Sequence, residues 1–334
     1  MRVINVDILR AGDIVLTTSP AFESKVIRGV TKSDISHAML CVSQSSVMDS
    51  TGEGVQARNP AKMLYPDECE IHILRFREAL SLEAIGGAVS YVRQTTGVPY
   101  TTAEAMRSIL PMPGRASSKQ FCSRLVARAF ASVGIQLCDN PDFCTPEALR
   151  KCDRLYEVEP AWNYVSEDEA GRLKESDATE GMRQVTIKLL KAARLVLPAI
   201  EGVSDIAKAS VERPDLDGKL ADALLESGYL DYWRTQEALF PWRYDFAKLM
   251  AFSFETKAYE EITEYCEVTL AGDSRGEMAH WMSSLEAYEE LCVTHQRRVL
   301  ELERGLYRNL FFQHEKRVMV AQQWMRLARR MGLS

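Results

Sequence analysis

Ser36-His37-Ala38-Met39-Leu40-Cys41-Val42 alternates small, polar and apolar residues, the pattern of a half-buried strand. Later in the chain, Phe121-Cys122-Ser123-Arg124-Leu125-Val126 opens a segment with helical spacing, in which Leu125, Val126, Ala129, Phe130 and Val133 recur. Ser117 or Ser118 is the expected N-cap and Gly134 the expected stop. That reading sets the Cys122 thiol in the first turn of a helix, where unpaired N–H groups and the helix dipole favour a thiolate. A strand-borne imidazole, His37, facing a helix-start thiol is an arrangement that cysteine hydrolases use.

The chemistry follows from what a thiol needs. An unperturbed cysteine ionises at about 8.5, and only its thiolate is a nucleophile. An imidazole within hydrogen-bond reach takes the proton, and the N–H of a helix-start cysteine can serve as an oxyanion donor. A third group should orient the imidazole through its other nitrogen. Asp49, twelve residues after His37, is the candidate, and Glu53 is its rival. If residues 37–43 and 46–52 form a hairpin, Asp49 shares the face of His37 only with an odd-length loop, and a one-residue slip sends it to the other side.

Further segments carry a family resemblance. Ala11-Gly12-Asp13-Ile14-Val15-Leu16, Val26-Ile27-Arg28, the His37 segment, Val47-Met48-Asp49-Ser50-Thr51 with Gly54-Val55, Gly97-Val98-Pro99-Tyr100 and the Cys122 segment follow in order. Together they resemble permuted papain-like amidases of the YaeF/YiiX kind, over roughly residues 8 to 158. This is the circularly permuted branch of the NlpC-type cysteine hydrolases, related to the lecithin:retinol acyltransferase family. In it the histidine precedes the cysteine. The resemblance implies Cys122 as nucleophile, His37 as base and a polar or acidic residue at the position of Asp49. It makes Tyr100 a candidate for lining the substrate pocket; Ser123, beside the cysteine, and Glu53 are further pocket or oxyanion candidates. NlpC-type enzymes follow the tyrosine with Trp-Gly-Gly, whereas Thr101-Thr102-Ala103 stands here. Asp13 is typical of the family opening, and a turn carboxylate is the simpler reading of it.

With 334 residues the chain is long enough for two cores, and 46% hydrophobic with 26% charged residues is the make-up of a globular protein. A net charge of −6 argues against a general nucleic-acid binder. The segment Met1 to Asp7 lacks the apolar stretch of a signal peptide, and no uninterrupted apolar run reaches transmembrane length, so a cytoplasmic protein is expected, or one exported by a specialised secretion system. The eight cysteines read as free thiols. Neither the cluster Cys138, Cys144 and Cys152 nor His280, His295 and His314 has metal-ligand spacing, so no metal and no cofactor are expected. His72, between Ile71 and Ile73, reads as a structural histidine.

Nine of the twelve prolines precede residue 161. Strands are expected at 13–17, 37–43, 46–49 and 70–76, and helices at 82–95, 118–132 and 146–151. The fold class is therefore α+β, a permuted papain-like or NlpC-type domain over 1–165. An acidic linker is expected at 166–178, and an all-α helical domain at 179–334. Its expected helices include an apolar stripe over 185–200 and the spans 216–227, 244–270 and 277–332. The basic stretch His314 to Met331 suits either a terminal helix packed on its neighbours or a helix for a membrane surface or protein partner.

The leading functional reading is a cysteine hydrolase cleaving an amide, thioester or ester through an acyl-enzyme. Peptide, peptidoglycan-like or acyl-lipid substrates are all compatible with the resemblance. A delivered bacterial effector is one setting. The alternatives are a lipid acyltransferase or lipase-like enzyme, and a non-catalytic binding module on a papain-like scaffold.

Overall fold

The computed structural model describes residues 1–18, 34–100, 120–174 and 177–332. Val26-Ile27-Arg28 and the expected caps Ser117 and Ser118 lie outside them. The fold is α+β, with antiparallel sheets in the first part of the chain and a helical region in the second. It divides into two compact units, Met1–Leu190 with Pro198–Asp205, and Lys191–Leu197 with Ile206–Ser334.

In the first unit a six-stranded sheet runs in the order β5-β4-β3-β2-β7-β8. Its strands are β2 (Ile14–Thr17), β3 (His37–Ser43), β4 (Ser46–Thr51), β5 (Gly54–Arg58), β7 (Ile71–Phe76) and β8 (Leu155–Glu157). A smaller sheet joins β1 (Arg2–Ile4), β6 (Leu64–Tyr65) and β9 (Trp162–Tyr164). Both faces of the large sheet are covered, which explains why β2 and β3 read as near-continuous apolar runs. Leu16, Ala38, Leu40 and Met48 share a core with α1 (Leu82–Gln94) and α2 (Cys122–Ala131). Val15, Met39, Cys41 and Val47 on the opposite face pack with Ile4, Tyr65 and Ala161.

One detail of the β3–β4 hairpin fixes the site. At the turn Ser43 pairs with Ser46, a register that would set Asp49 and His37 on opposite faces. A bulge between Cys41 and Ser43 shifts the pairing by one residue, so that Cys41 meets Val47 and Leu40 meets Met48. The two-residue turn plus one bulged residue performs the task assigned to an odd loop.

Helix α2 begins at Cys122 with Phe121 as its N-cap, later than Ser117 or Ser118 would have it, and Phe121 makes no side-chain capping bond. Gly134 takes a positive φ of 79° just beyond the helix end. The segment 166–178 is not a bare linker. It carries α4 (Glu167–Lys174), after α3 (Pro146–Arg150), and Ala170 is buried with Val3 and Val165. Acidic side chains cover the exposed face of α4, while Ala170 and the half-buried Leu173 anchor it. Nor does the first unit end at residue 165. Helix α5 (Ala178–Val196) brings Leu190 against Gly97, where φ is +83° and an added Cβ would lie 2.1 Å from Leu190 Cδ1. Val203 N–H donates to Thr96 O, and Ser204 Oγ–H to Gln94 O.

Six further helices complete the second unit after α6 (Ser204–Glu212): α7 (Asp217–Ser227), α8 (Trp233–Leu239), α9 (Phe246–Thr256), α10 (Tyr259–Ser274), α11 (Ala279–Thr294) and α12 (Arg298–Met331). The helical span 244–270 is broken at Lys257, which takes the left-handed conformation with φ 55°. The N–H groups of Arg298 and Val299 that open α12 are capped by the Asp217 carboxylate, a charge suited to a helix N-terminus. The basic terminal stretch turns Val318, Trp324 and Met325 inward, and Trp324 Nε1–H donates to Thr263 Oγ1. Among the described residues no helix is long and apolar enough to cross a membrane.

Glu303 of α12 is buried, and burial alone pushes its carboxyl up from 4.5 to about 7. A folded-state value above the unfolded one means that the protonated form is favoured by folding. The Glu303 contribution to stability should then fall as pH rises from about 4.5 to about 7 and level off above, by about 3 kcal/mol in all. Urea unfolding followed by tryptophan emission at pH 5 and pH 8 should show this loss. Glu303→Gln should lose less stability than the wild type between the two pH values.

Candidate active site

His37 is the first residue of β3 and Cys122 the first of α2, and α2 packs on β3. The bulge leaves Asp49 on the imidazole's face of the sheet, and His37 Nε2–H donates to Asp49 Oδ2 at 3.0 Å. That bond leaves Nδ1 free to serve the Cys122 thiol, whose ionisation the neighbouring imidazole favours. The three residues expected from the sequence therefore meet in one chain, Cys122–His37–Asp49. Glu53 does not reach the imidazole. Its carboxylate accepts from Arg58 Nη2 at 3.2 Å and lies 3.8 Å from Arg183 Nε.

Burial and partners compete at each group. Burial would lower the imidazole's basicity, but hydrogen bonds to Asp49 and Cys122 outweigh it and raise His37 to about 10. For Cys122 burial acts to push the thiol up, yet the His37 bond and charge, with N–H groups of Ala38 and Ser123, bring it below its ordinary 9.0. Asp49 is only 1% exposed. Burial opposes its ionisation, and the bond and charge of His37 together with Arg58 still hold it below 3.8. These shifts all run toward a thiolate paired with an imidazolium and backed by an ionised carboxylate.

The absent cap on α2 has a use here. Phe121 offers no side-chain acceptor to the first-turn N–H groups, so the Ser123 amide is available to the sulfur. The Ser123 hydroxyl is committed elsewhere, donating to Cys144 O at 2.8 Å. Tyr100 stands beside the segment that leads to the thiol, through a parallel bridge to Gln120. Val55 N–H donates to Val98 O and Gly97 N–H to Val55 O, tying the Gly97–Tyr100 segment to β5.

Other expected candidates have structural partners. Asp13 accepts from Arg75 Nε and Nη2 at 2.8 and 2.7 Å and caps the Arg10 N–H, so it is a turn carboxylate. His72 pairs with Glu157, and His314 Nε2–H donates to Asp273 at 2.9 Å. Cys138 and Cys144 are in thiol contact, which together with burial pushes Cys144 far up. Among the described residues no group of three or more His, Cys, Asp or Glu could hold a metal ion. The sequence reading missed Arg58, whose Nε–H donates to Asp49 Oδ1 and Oδ2 at 2.9 and 2.8 Å.

Comparison with known proteins bears on the same segment. Residues 8–146 match the family of permuted papain-like amidases, YaeF/YiiX, C92. This match contains all three members of the Cys122–His37–Asp49 chain, and the family is one of cysteine-type hydrolases. A solved structure described as metalloprotein yiiX from Escherichia coli O157:H7 is also similar, with 18% identity and a TM-score of 0.35, covering 45% of this chain and 96% of that one. No curated protein matches the chain. The permuted papain-like match stops before α4 and the helices that follow it.

Cys122 should be the most reactive of the eight thiols. Sub-stoichiometric iodoacetamide at neutral pH, followed by peptide mass spectrometry, should find label on Cys122 first. Label on Cys41 or Cys138 with Cys122 untouched would contradict the assignment.

Proposed function

We propose that this protein is a cysteine-dependent acyl hydrolase, cleaving an amide, thioester or ester bond through an acyl-enzyme on Cys122. The single observation that carries this reading is the hydrogen-bonded chain from thiol to imidazole to buried carboxylate. In this reading the Cys122 thiolate attacks the substrate carbonyl carbon, and the electron pair of the C=O bond moves to oxygen. Main-chain N–H groups at the start of α2 stabilise that oxyanion. The imidazolium of His37 gives its Nδ1 proton to the leaving amine, thiol or alcohol as the tetrahedral adduct collapses. Water then attacks the thioester, losing its proton to His37, and the acid departs as Cys122 recovers its charge with the imidazole. Asp49 keeps the ring turned with Nδ1 toward the sulfur throughout and stabilises its charged form.

Two features support a hydrolase over a binding scaffold. A pure scaffold has no use for an ionised carboxylate inside a sheet, which costs desolvation free energy unless paired. Nor does it need a helix whose first turn is left uncapped toward a thiol.

Cys122→Ala should abolish turnover and leave the fold intact. Asp49→Asn should lower kcat about a hundredfold or more, because an amide misorients the ring. Glu53→Gln should change the rate by no more than about fivefold, the scale of an exposed ion pair. Steady-state rates on peptides, short acyl thioesters and lipid micelles would identify the bond class, and reversal of the Asp49 and Glu53 effects would refute the assignment. The thiolate requires a pH above the depressed Cys122 value, and the imidazolium one below about 10. The pH–rate profile should therefore be a bell whose acid limb lies below the ordinary thiol range and whose alkaline limb lies near 10.

A further inference from the structure

Asp49 has a second partner besides the imidazole. Arg58 lies on β5, two residues beyond the Asp49 partner Gln56, so its side chain crosses diagonally to the same face. Its Nε–H is shared between both carboxylate oxygens, at 2.9 and 2.8 Å. Its Nη2–H donates to Thr51 Oγ1 at 3.0 Å and to Glu53 Oε2 at 3.2 Å. The guanidinium is thus anchored at one end by the hairpin tip and grips the carboxylate with the other. Oδ2 of Asp49 receives His37 and Arg58 together.

We propose that Arg58 is the positioning residue of the active site, fixing the rotation of the Asp49 carboxylate so that Oδ2 meets His37 Nε2. The proposal rests on the acyl-hydrolase reading and adds to it a fourth member that touches neither substrate nor sulfur. A carboxylate with one hydrogen bond can turn about its terminal torsion, which is broad and roughly two-fold. Two bonds from opposite sides fix it. Arginine suits the task because its planar fork holds several acceptors in set directions, which a lysine ammonium cannot do. Other charged groups around Asp49 do not duplicate the role. Burial holds the Tyr65 hydroxyl in its neutral form, and Glu53 is bound to Arg58 itself. The outer brace is the weaker part, since Glu53 is 43% exposed and its pairs with Arg58 and Arg183 are screened by water.

The test is the pH at which Cys122 becomes reactive, measured on the full-length protein as the iodoacetamide alkylation rate against pH. A wild-type Cys122 with ordinary thiol behaviour would overturn the hydrolase reading itself. Given an activated wild-type thiol, Arg58→Gln should shift the reactivity midpoint upward by about one pH unit, a tenfold loss of thiolate at pH below it. In an Asp49→Asn background the same substitution should add little, because Arg58 acts through that carboxylate. Should Arg58→Gln fail to fold, Arg58→Lys carries the test, with a smaller shift in the same direction. An unmoved midpoint in a folded Arg58 variant would overturn the positioning role and leave the hydrolase reading standing. So would a shift of equal size with Asp49 already neutralised.

Discussion

An ionised carboxylate inside a β-sheet is the constraint from which the site's architecture follows. Asp49 is closed off from water, and a buried charge persists only when opposite charge and hydrogen bonds replace its hydration. Two cations do so, the imidazolium from β3 and the guanidinium from β5, with Asp49 on the strand between them. Three adjacent strands must therefore be held in one register.

At the sulfur the opposing forces are of the same kind. Burial favours neutral thiol and neutral imidazole, while the mutual hydrogen bond and the helix-start amides favour the ion pair. Neither partner would hold its charge alone. Removing one leaves the other with the desolvation cost and no compensation, so the pair behaves as a unit and its two proton affinities belong to the pair.

Much of the first unit was legible because its signals are local. The His37 strand has the span its alternation predicts, and Leu82–Gln94 ends one residue before the predicted helix. The start of α2 was misplaced because serine is the stronger capping residue, and Phe121 caps with its main chain alone. The register of Asp49 could only be posed as a condition, since a bulge leaves no mark in residue type. Arg58 was missed because a lone arginine in Gly54–Arg58 has the appearance of a solvated strand end, and its partner lies on the neighbouring strand. The acidic segment read as a linker because charge dominates its composition, and a single buried alanine is too small to stand out. The break at Lys257 has neither glycine nor proline to announce it. In the helical unit, periodicity identified apolar faces without stating any chemistry for them.

The bulge between Cys41 and Ser43 has a consequence for how such hairpins are compared. Imidazole and carboxylate share a face when the turn residues and the bulged residues together make an odd number. A relative that lodged the extra residue in the turn, with an unbroken ladder beside it, would keep the same twelve-residue interval and the same constellation. Spacing along the chain is then the invariant, while the backbone that delivers it is free to differ. Superposition of hairpin tips would report divergence between two sites that are chemically one.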